Sequence, residues 1–88
     1  MKITIAHSQS LGAGWDVDVD VEAADGQQIS RVQIKVNDFR VVDDTPGDDT
    51  ESWQRHLVQQ GVFPGDNKVE VLANDQDGKE SRATQQWS

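Results

Sequence analysis

The 88-residue sequence contains no cysteine. The chain therefore has no disulfide between sheets, no thiol nucleophile, no redox motif and no cysteine-ligated zinc site. A chain without cysteine is compatible with either side of a membrane, so its absence leaves the compartment open.

Positive charge is also scarce, because eight Lys and Arg stand against sixteen Asp and Glu, for a formal net charge of −8. This balance argues against nucleic acid and against anionic lipid surfaces, since both require clustered basic residues. No apolar run approaches the ~18–20 residues of a membrane span. Met1–Ile5 alternates in polarity where a signal peptide has an apolar block, although an excised domain would have lost its signal.

Alternation of apolar and polar residues dominates what is present, and the length corresponds to one domain, residues 1–88. Val17, Val19 and Val21 alternate with acidic residues, which is the period-two pattern of a strand with one buried face. Similar patterns recur along the chain and are separated by turn residues. The predicted strands are 2–7, 15–23, 29–36, 39–42, 52–60, 68–73 and 79–87. About seven short strands predict an all-β, two-sheet Greek-key sandwich.

One of these segments fits two structures. Trp53 and Leu57 are four residues apart, as on a short helix, but Trp53, Arg55 and Leu57 also alternate as in a strand. The strands on either side favour a strand for 52–60.

Turn residues separate the predicted strands. Asn37-Asp38 predicts a two-residue hairpin, Pro64-Gly65 a type II turn, and 74–78 a hairpin turn. The segment 39–42 is expected at a sheet edge, and 43–51 is expected to be an exposed acidic loop.

These residues resemble a known family. The residues Gly26, Ile29–Asn37 and Val41, followed by Pro64–Val71, Ala73–Asp75, Gly78 and Ser81, are similar to bacterial immunoglobulin-like domains of the early-set or fibronectin-like type. The similarity covers about residues 3–87. Two features depart from the family: the hairpin carries Asn-Asp where such domains often have Asn-Gly, and without tyrosine no tyrosine corner forms.

The resemblance implies an immunoglobulin-like sandwich and a non-catalytic role. Such a module is a spacer or binding domain of a larger bacterial or phage surface or secreted protein, with a protein partner or flanking domains and an extracytoplasmic location. Two alternatives stay open, a calcium-stabilised adhesive module and a carbohydrate-binding module.

The calcium alternative rests on Asp75 and Asp77, two carboxylates at alternate positions before Gly78. The EF-hand pattern fails, because Ala73 and Thr84 occupy its first and last ligand positions. The acidic segment could converge on this turn and add ligands, namely Asp43, Asp44, Asp48, Asp49 and Glu51. The competing interpretation is a hairpin turn beside a hydrated acidic loop.

Two further groups carry interpretations about binding. The acidic ladder, defined as Asp16, Asp18, Asp20 and Glu22, places four carboxylates on one strand face, which is either hydrated or complementary to a basic partner. Arg31 and Lys35 are expected on the opposite sheet. A glycan platform would need exposed tryptophans, whereas Trp53 is expected in the core and Trp15 and Trp87 flank strand ends.

No catalytic pattern accompanies the two histidines, His7 and His56. The chain has no nucleophile elbow and no metal-ligand spacing, and a small sandwich rarely has a cleft for paired carboxylates. An enzyme is therefore not expected.

Overall fold

A computed structural model describes residues 1–9, 14–47, 50–60 and 67–87. These residues form seven strands and no helix. The strands are β1 (Lys2–Gln9), β2 (Gly14–Glu22), β3 (Ile29–Val36), β4 (Phe39–Asp44), β5 (Ser52–Gln60), β6 (Asn67–Asp75) and β7 (Glu80–Trp87). The interpretation of 52–60 as a strand is confirmed.

The strands form two antiparallel sheets, a three-stranded sheet in the order β1-β2-β5 and a four-stranded sheet in the order β4-β3-β6-β7. The chain crosses between the sheets after β2, β4 and β5, while β1-β2, β3-β4 and β6-β7 are sequential neighbours. This connectivity is that of an immunoglobulin-like Greek key in which the fourth strand pairs with the third.

The core lies between the sheets because each strand turns its apolar residues to one side. Three valines of β2 are fully buried, and β5 adds Trp53, which is 8% exposed. The four-stranded sheet contributes the facing layer. Its buried apolar side chains are Ile29, Val32, Ile34, Val36, Val69, Val71 and Ala73. One continuous cluster from both sheets establishes the sandwich.

The sandwich has two sides where edge strands of different sheets approach each other. On one side the Nδ1 atom of His7 in β1 lies 2.6 Å from the Oε1 atom of Gln85 in β7. On the other side the indole N–H of Trp53 in β5 donates to Asp44 in β4, at 2.7 Å. Arg55 lies over the Trp53 ring, 5.3 Å from its centroid, and 3.5 Å from the same Asp44 carboxylate.

The hairpin between β3 and β4 follows its expected chemistry. Val36 pairs with Phe39 across two residues that both adopt positive φ, 50° at Asn37 and 71° at Asp38. β4 lies at the edge of its sheet, as expected.

The expected loop 43–51 is partly wrong. Asp43 and Asp44 belong to β4 because they pair with Gln33 and Val32 of β3, so the connection to β5 begins at residue 45. The predicted Pro64-Gly65 turn and Asp48 and Asp49 lie outside the described residues.

Candidate functional site

The outer face of the three-stranded sheet carries the acidic ladder on its central strand. Ladder residues pair with Lys2, Thr4, Ala6 and Ser8 of β1 on one side and with Ser52, Gln54, His56 and Val58 of β5 on the other. Carboxylates at every second residue are spaced about 6.6–6.8 Å apart along the strand. This surface is called the acidic face below.

On the acidic face, His56 of β5 contacts two carboxylates of the ladder. Its Nδ1 atom lies 2.6 Å from Asp18 Oδ1, and its Nε2 atom lies 3.6 Å from Asp16 Oδ1. The hydrogen bond to Asp18 raises the pKa of His56 above its usual value, partial desolvation opposes this, and the negative charges of Asp18 and Asp16 reinforce it. The cross-strand placement of His56 was not predicted, because it depends on the register between β2 and β5.

The other half of the ladder is less engaged. Neither Asp20 nor Glu22 forms an ion pair with any residue that the structure describes. Arg31 lies on β3, in the opposite sheet, which confirms the expected separation of the ladder from this basic strand. Half of the acidic face therefore has carboxylates that a cationic partner can reach.

The predicted calcium turn is held by its own carboxylate. Asp75 is 9% exposed, and its Oδ1 atom accepts hydrogen bonds from the backbone N–H groups of Asp77 and Lys79, each at 2.9 Å. The Gly78 N–H donates to the Asp75 carbonyl at 3.1 Å, with Gly78 at a φ of 83°. Asp77 is exposed. One oxygen of the predicted ligand pair is thus committed to the turn.

Two of the acidic residues predicted to converge on this turn, Asp43 and Asp44, have other contacts. Asp43 accepts two hydrogen bonds from Arg31, at 2.9 and 2.8 Å, which lower the pKa of Asp43; partial desolvation opposes this shift. Asp44 accepts from Trp53, as described above. Within the described ranges, no group of three or more His, Cys, Asp or Glu side chains could hold a metal ion. Asp48 and Asp49, two further predicted ligands, are not among those residues, and Glu51 is exposed.

The aromatic residues give one clear result for the glycan alternative. Trp53 is buried and donates its indole N–H inside the protein, as expected for a core residue. The side chains of Trp15 and Trp87 lie outside the described part of the chain. Phe39 is 77% exposed at the start of β4, which the sequence analysis did not predict.

A second charged surface could not be predicted from the local sequence pattern. The outer face of the four-stranded sheet carries Arg31, Lys35, Arg40, Lys68 and Arg82, together with Asp43, Glu70 and Glu80. These residues come from two hairpins, β3-β4 and β6-β7, that are distant from each other in sequence, so the pairing of β3 with β6 brings them together. This surface is called the basic face below.

Comparisons with known proteins do not assign the chain to a family. No protein-family model matches the sequence, and a search of curated proteins finds no significant match. Among the described residues, no helix is long and apolar enough to cross a membrane.

Proposed function

We propose that this chain is a non-catalytic binding module that holds a basic protein partner against its acidic face. The observation that carries the proposal is the sorting of charge between the two outer faces of the sandwich. The acidic face has four carboxylates and one lysine on its paired strand positions, while the basic face has five cationic side chains and three carboxylates. Hydration of the surface alone does not require acidic and basic residues to be separated onto different faces.

The acidic face suits an extended basic segment. Its central strand presents carboxylates at alternate positions, and basic side chains at alternate positions of an extended partner have the same repeat of about 6.6–6.8 Å. Neighbouring like charges on a sheet are mildly destabilising, so a cationic partner would relieve a cost that the free domain carries. Exposed pairs of this kind govern specificity and association rate more than affinity.

The resemblance to bacterial immunoglobulin-like domains supports the broader setting. We propose membership of that group and a place as a spacer or binding domain in a larger bacterial or phage surface or secreted protein. The seven-stranded connectivity is compatible with this setting.

The test uses a lysine-rich peptide and NMR of the isotopically labelled domain. We expect its titration to shift amide signals of β1, β2 and β5, with an affinity that falls as salt rises. The double variant Asp20→Asn/Glu22→Gln should weaken binding more than Asp25→Asn/Glu51→Gln, which removes the same two charge types from exposed positions outside this face. Equal weakening by both pairs would mean that overall charge alone attracts the peptide, and the proposal would be wrong.

A further inference from the structure

The basic face concentrates cations in an otherwise strongly acidic chain. It holds five of the eight Lys and Arg residues and three of the sixteen Asp and Glu residues. The rest of the chain therefore has three basic and thirteen acidic residues. The four-stranded sheet thus carries a local excess of positive charge on a protein whose formal net charge is −8.

Some of these cations are already engaged by acidic residues in the face or, for Asp38, in the hairpin beside it. Arg31 forms the paired hydrogen bonds to Asp43, and Lys68 lies 2.8 Å from Glu70 and 3.2 Å from Asp38. These contacts raise the pKa of both basic groups, through hydrogen bonds with their acidic partners. Arg31 and Lys68 are therefore already engaged by acidic side chains of the protein.

Two other cations of the face, Lys35 and Arg82, are more accessible. Lys35 is exposed and forms no ion pair with a residue in the described ranges. Arg82 has a 74% exposed side chain and contacts Glu80, two residues earlier on the same strand. Both are positioned by rigid sheet, since Lys35 pairs with Glu70 and Arg82 pairs with Leu72 of the central strand β6.

An apolar floor lies between these two cations. Leu72 is half-buried and points outward from β6, with Gln33 and Arg82 as its direct cross-strand neighbours. A shallow depression of about 160 Å³ lies over this region. Its lining includes Gln33, Lys35, Glu70, Leu72, Arg82 and Thr84. An apolar contact flanked by cations is a suitable site for an acidic chain that carries an apolar side chain.

We propose that the basic face is a docking surface for an extended acidic protein segment. Carboxylates of the segment pair with Lys35 and Arg82, and an apolar side chain of the segment covers Leu72. This site is separate from the acidic face, so its existence does not depend on the proposed binding of a basic partner.

The shape of the protein gives this site a distinctive salt dependence. The two shorter dimensions of the domain are 21 and 18 Å. At about 0.01 M salt the Debye length is about 30 Å, so an acidic peptide senses the whole negatively charged protein and is repelled. At about 0.1 M it is about 10 Å, and the peptide senses mainly the face that it approaches. Affinity should therefore rise from low salt to about 0.1 M and fall again toward 1 M.

The experiment titrates the folded domain with an acidic octapeptide of glutamate and serine that has one central leucine. We expect NMR shifts on β3, β6 and β7, and a maximum of affinity near 0.1 M salt. The variant Lys35→Gln/Arg82→Gln should weaken binding about threefold or more, since each exposed pair contributes up to about fivefold. The control Lys2→Gln/Lys79→Gln removes the same net charge from exposed positions outside the face. Thermal unfolding of each variant verifies that it is folded.

Leu72 provides a second, uncharged test. Leu72→Ala should weaken binding, while Val41→Ala, at a 45% exposed position on β4, should not. Equal effects of the two charge pairs, or affinity that increases steadily up to 1 M salt, would overturn the proposal. Analytical ultracentrifugation tests whether a second copy of the chain occupies the basic face. Self-association that is removed by Lys35→Gln/Arg82→Gln and also by Asp20→Asn/Glu22→Gln would identify a second copy as the ligand. That result would also overturn the proposal.

Discussion

One substitution in the hairpin between β6 and β7 tests whether Asp75 stabilises the turn or binds calcium. Asp75→Ala removes the oxygen that accepts two backbone hydrogen bonds at 2.9 Å. A net hydrogen bond contributes about 0.5–1.5 kcal/mol, and bonds to a charged acceptor contribute more. Water can reach the exposed end of this turn and replace part of the loss. We therefore expect the free energy of unfolding to fall by about 2 kcal/mol.

The asparagine variant should behave differently, because Asp75→Asn retains an oxygen in the same place. Its expected loss is below about 1 kcal/mol, since the geometry is kept and the acceptor becomes neutral. Asp77→Ala is the matched control, as Asp77 is exposed and belongs to the same turn. It should change the free energy of unfolding by less than about 0.5 kcal/mol.

The assay is urea unfolding together with thermal unfolding in EDTA, in millimolar calcium and in millimolar magnesium. For a domain of this size, 1 kcal/mol corresponds to roughly 4–8 °C, so Asp75→Ala should lower Tm by roughly 8–16 °C. We expect no calcium-specific change for the original sequence. A calcium-specific rise in Tm, lost in both Asp75→Asn and Asp77→Ala, would refute the turn argument and establish a metal site. A loss of less than about 0.5 kcal/mol in Asp75→Ala would refute the value given to the two hydrogen bonds.

Three other predictions test different parts of the fold. An NMR titration should give His56 a pKa above its usual 6.5, and Asp18→Asn should bring the pKa back toward that value. Because the pKa of His56 is raised in the folded state, its contact with Asp18 stabilises the fold fully below about pH 6.5. This stabilisation is lost as the pH rises through the folded pKa. Val19→Ala, at a fully buried position, should cost about 2 kcal/mol in urea unfolding, whereas Val58→Ala, at a 53% exposed position, should cost less than about 0.5 kcal/mol. Asp38→Gly should increase the free energy of unfolding by about 1 kcal/mol, because the residue has a φ of 71° that glycine adopts without strain; a decrease would show that its ion pair with β6 outweighs the backbone strain.

The positions of the strands along the chain could be predicted because the local pattern is strong. In β2 the buried positions 17, 19 and 21 are all valine, and the outward positions from 16 to 22 are all acidic. This single alternation therefore predicts both the strand and its buried face. The hairpin at Asn37 was equally local, since two adjacent residues tolerant of positive φ lie between two apolar residues. The assignment of 52–60 needed the context of the whole chain, because Trp53 and Leu57 satisfy both periodicities.

The surfaces could not be predicted in the same way, because they depend on pairing between distant strands. The contact of His56 with Asp18 follows from the β2-β5 register, which joins residues 38 positions apart. The basic face likewise requires β4, β3, β6 and β7 to be neighbours. The position of Asp43 was mispredicted because aspartate is rare in strands, and here two hydrogen bonds from Arg31 support it.

The placement of β1 and β7 at opposite ends of the pull also determines how the domain would respond to mechanical force. β1 begins at the end where Trp53 meets Asp44, and β7 finishes near the opposite end, where His7 meets Gln85, on a body 41 Å long. Tension applied at Lys2 and Trp87 would act along the strands. It would load the eight cross-strand pairs of β1 with β2, and the eight of β7 with β6, in shear and at the same time. A spacer with this geometry would resist extension better than one whose terminal strands open one pair after another.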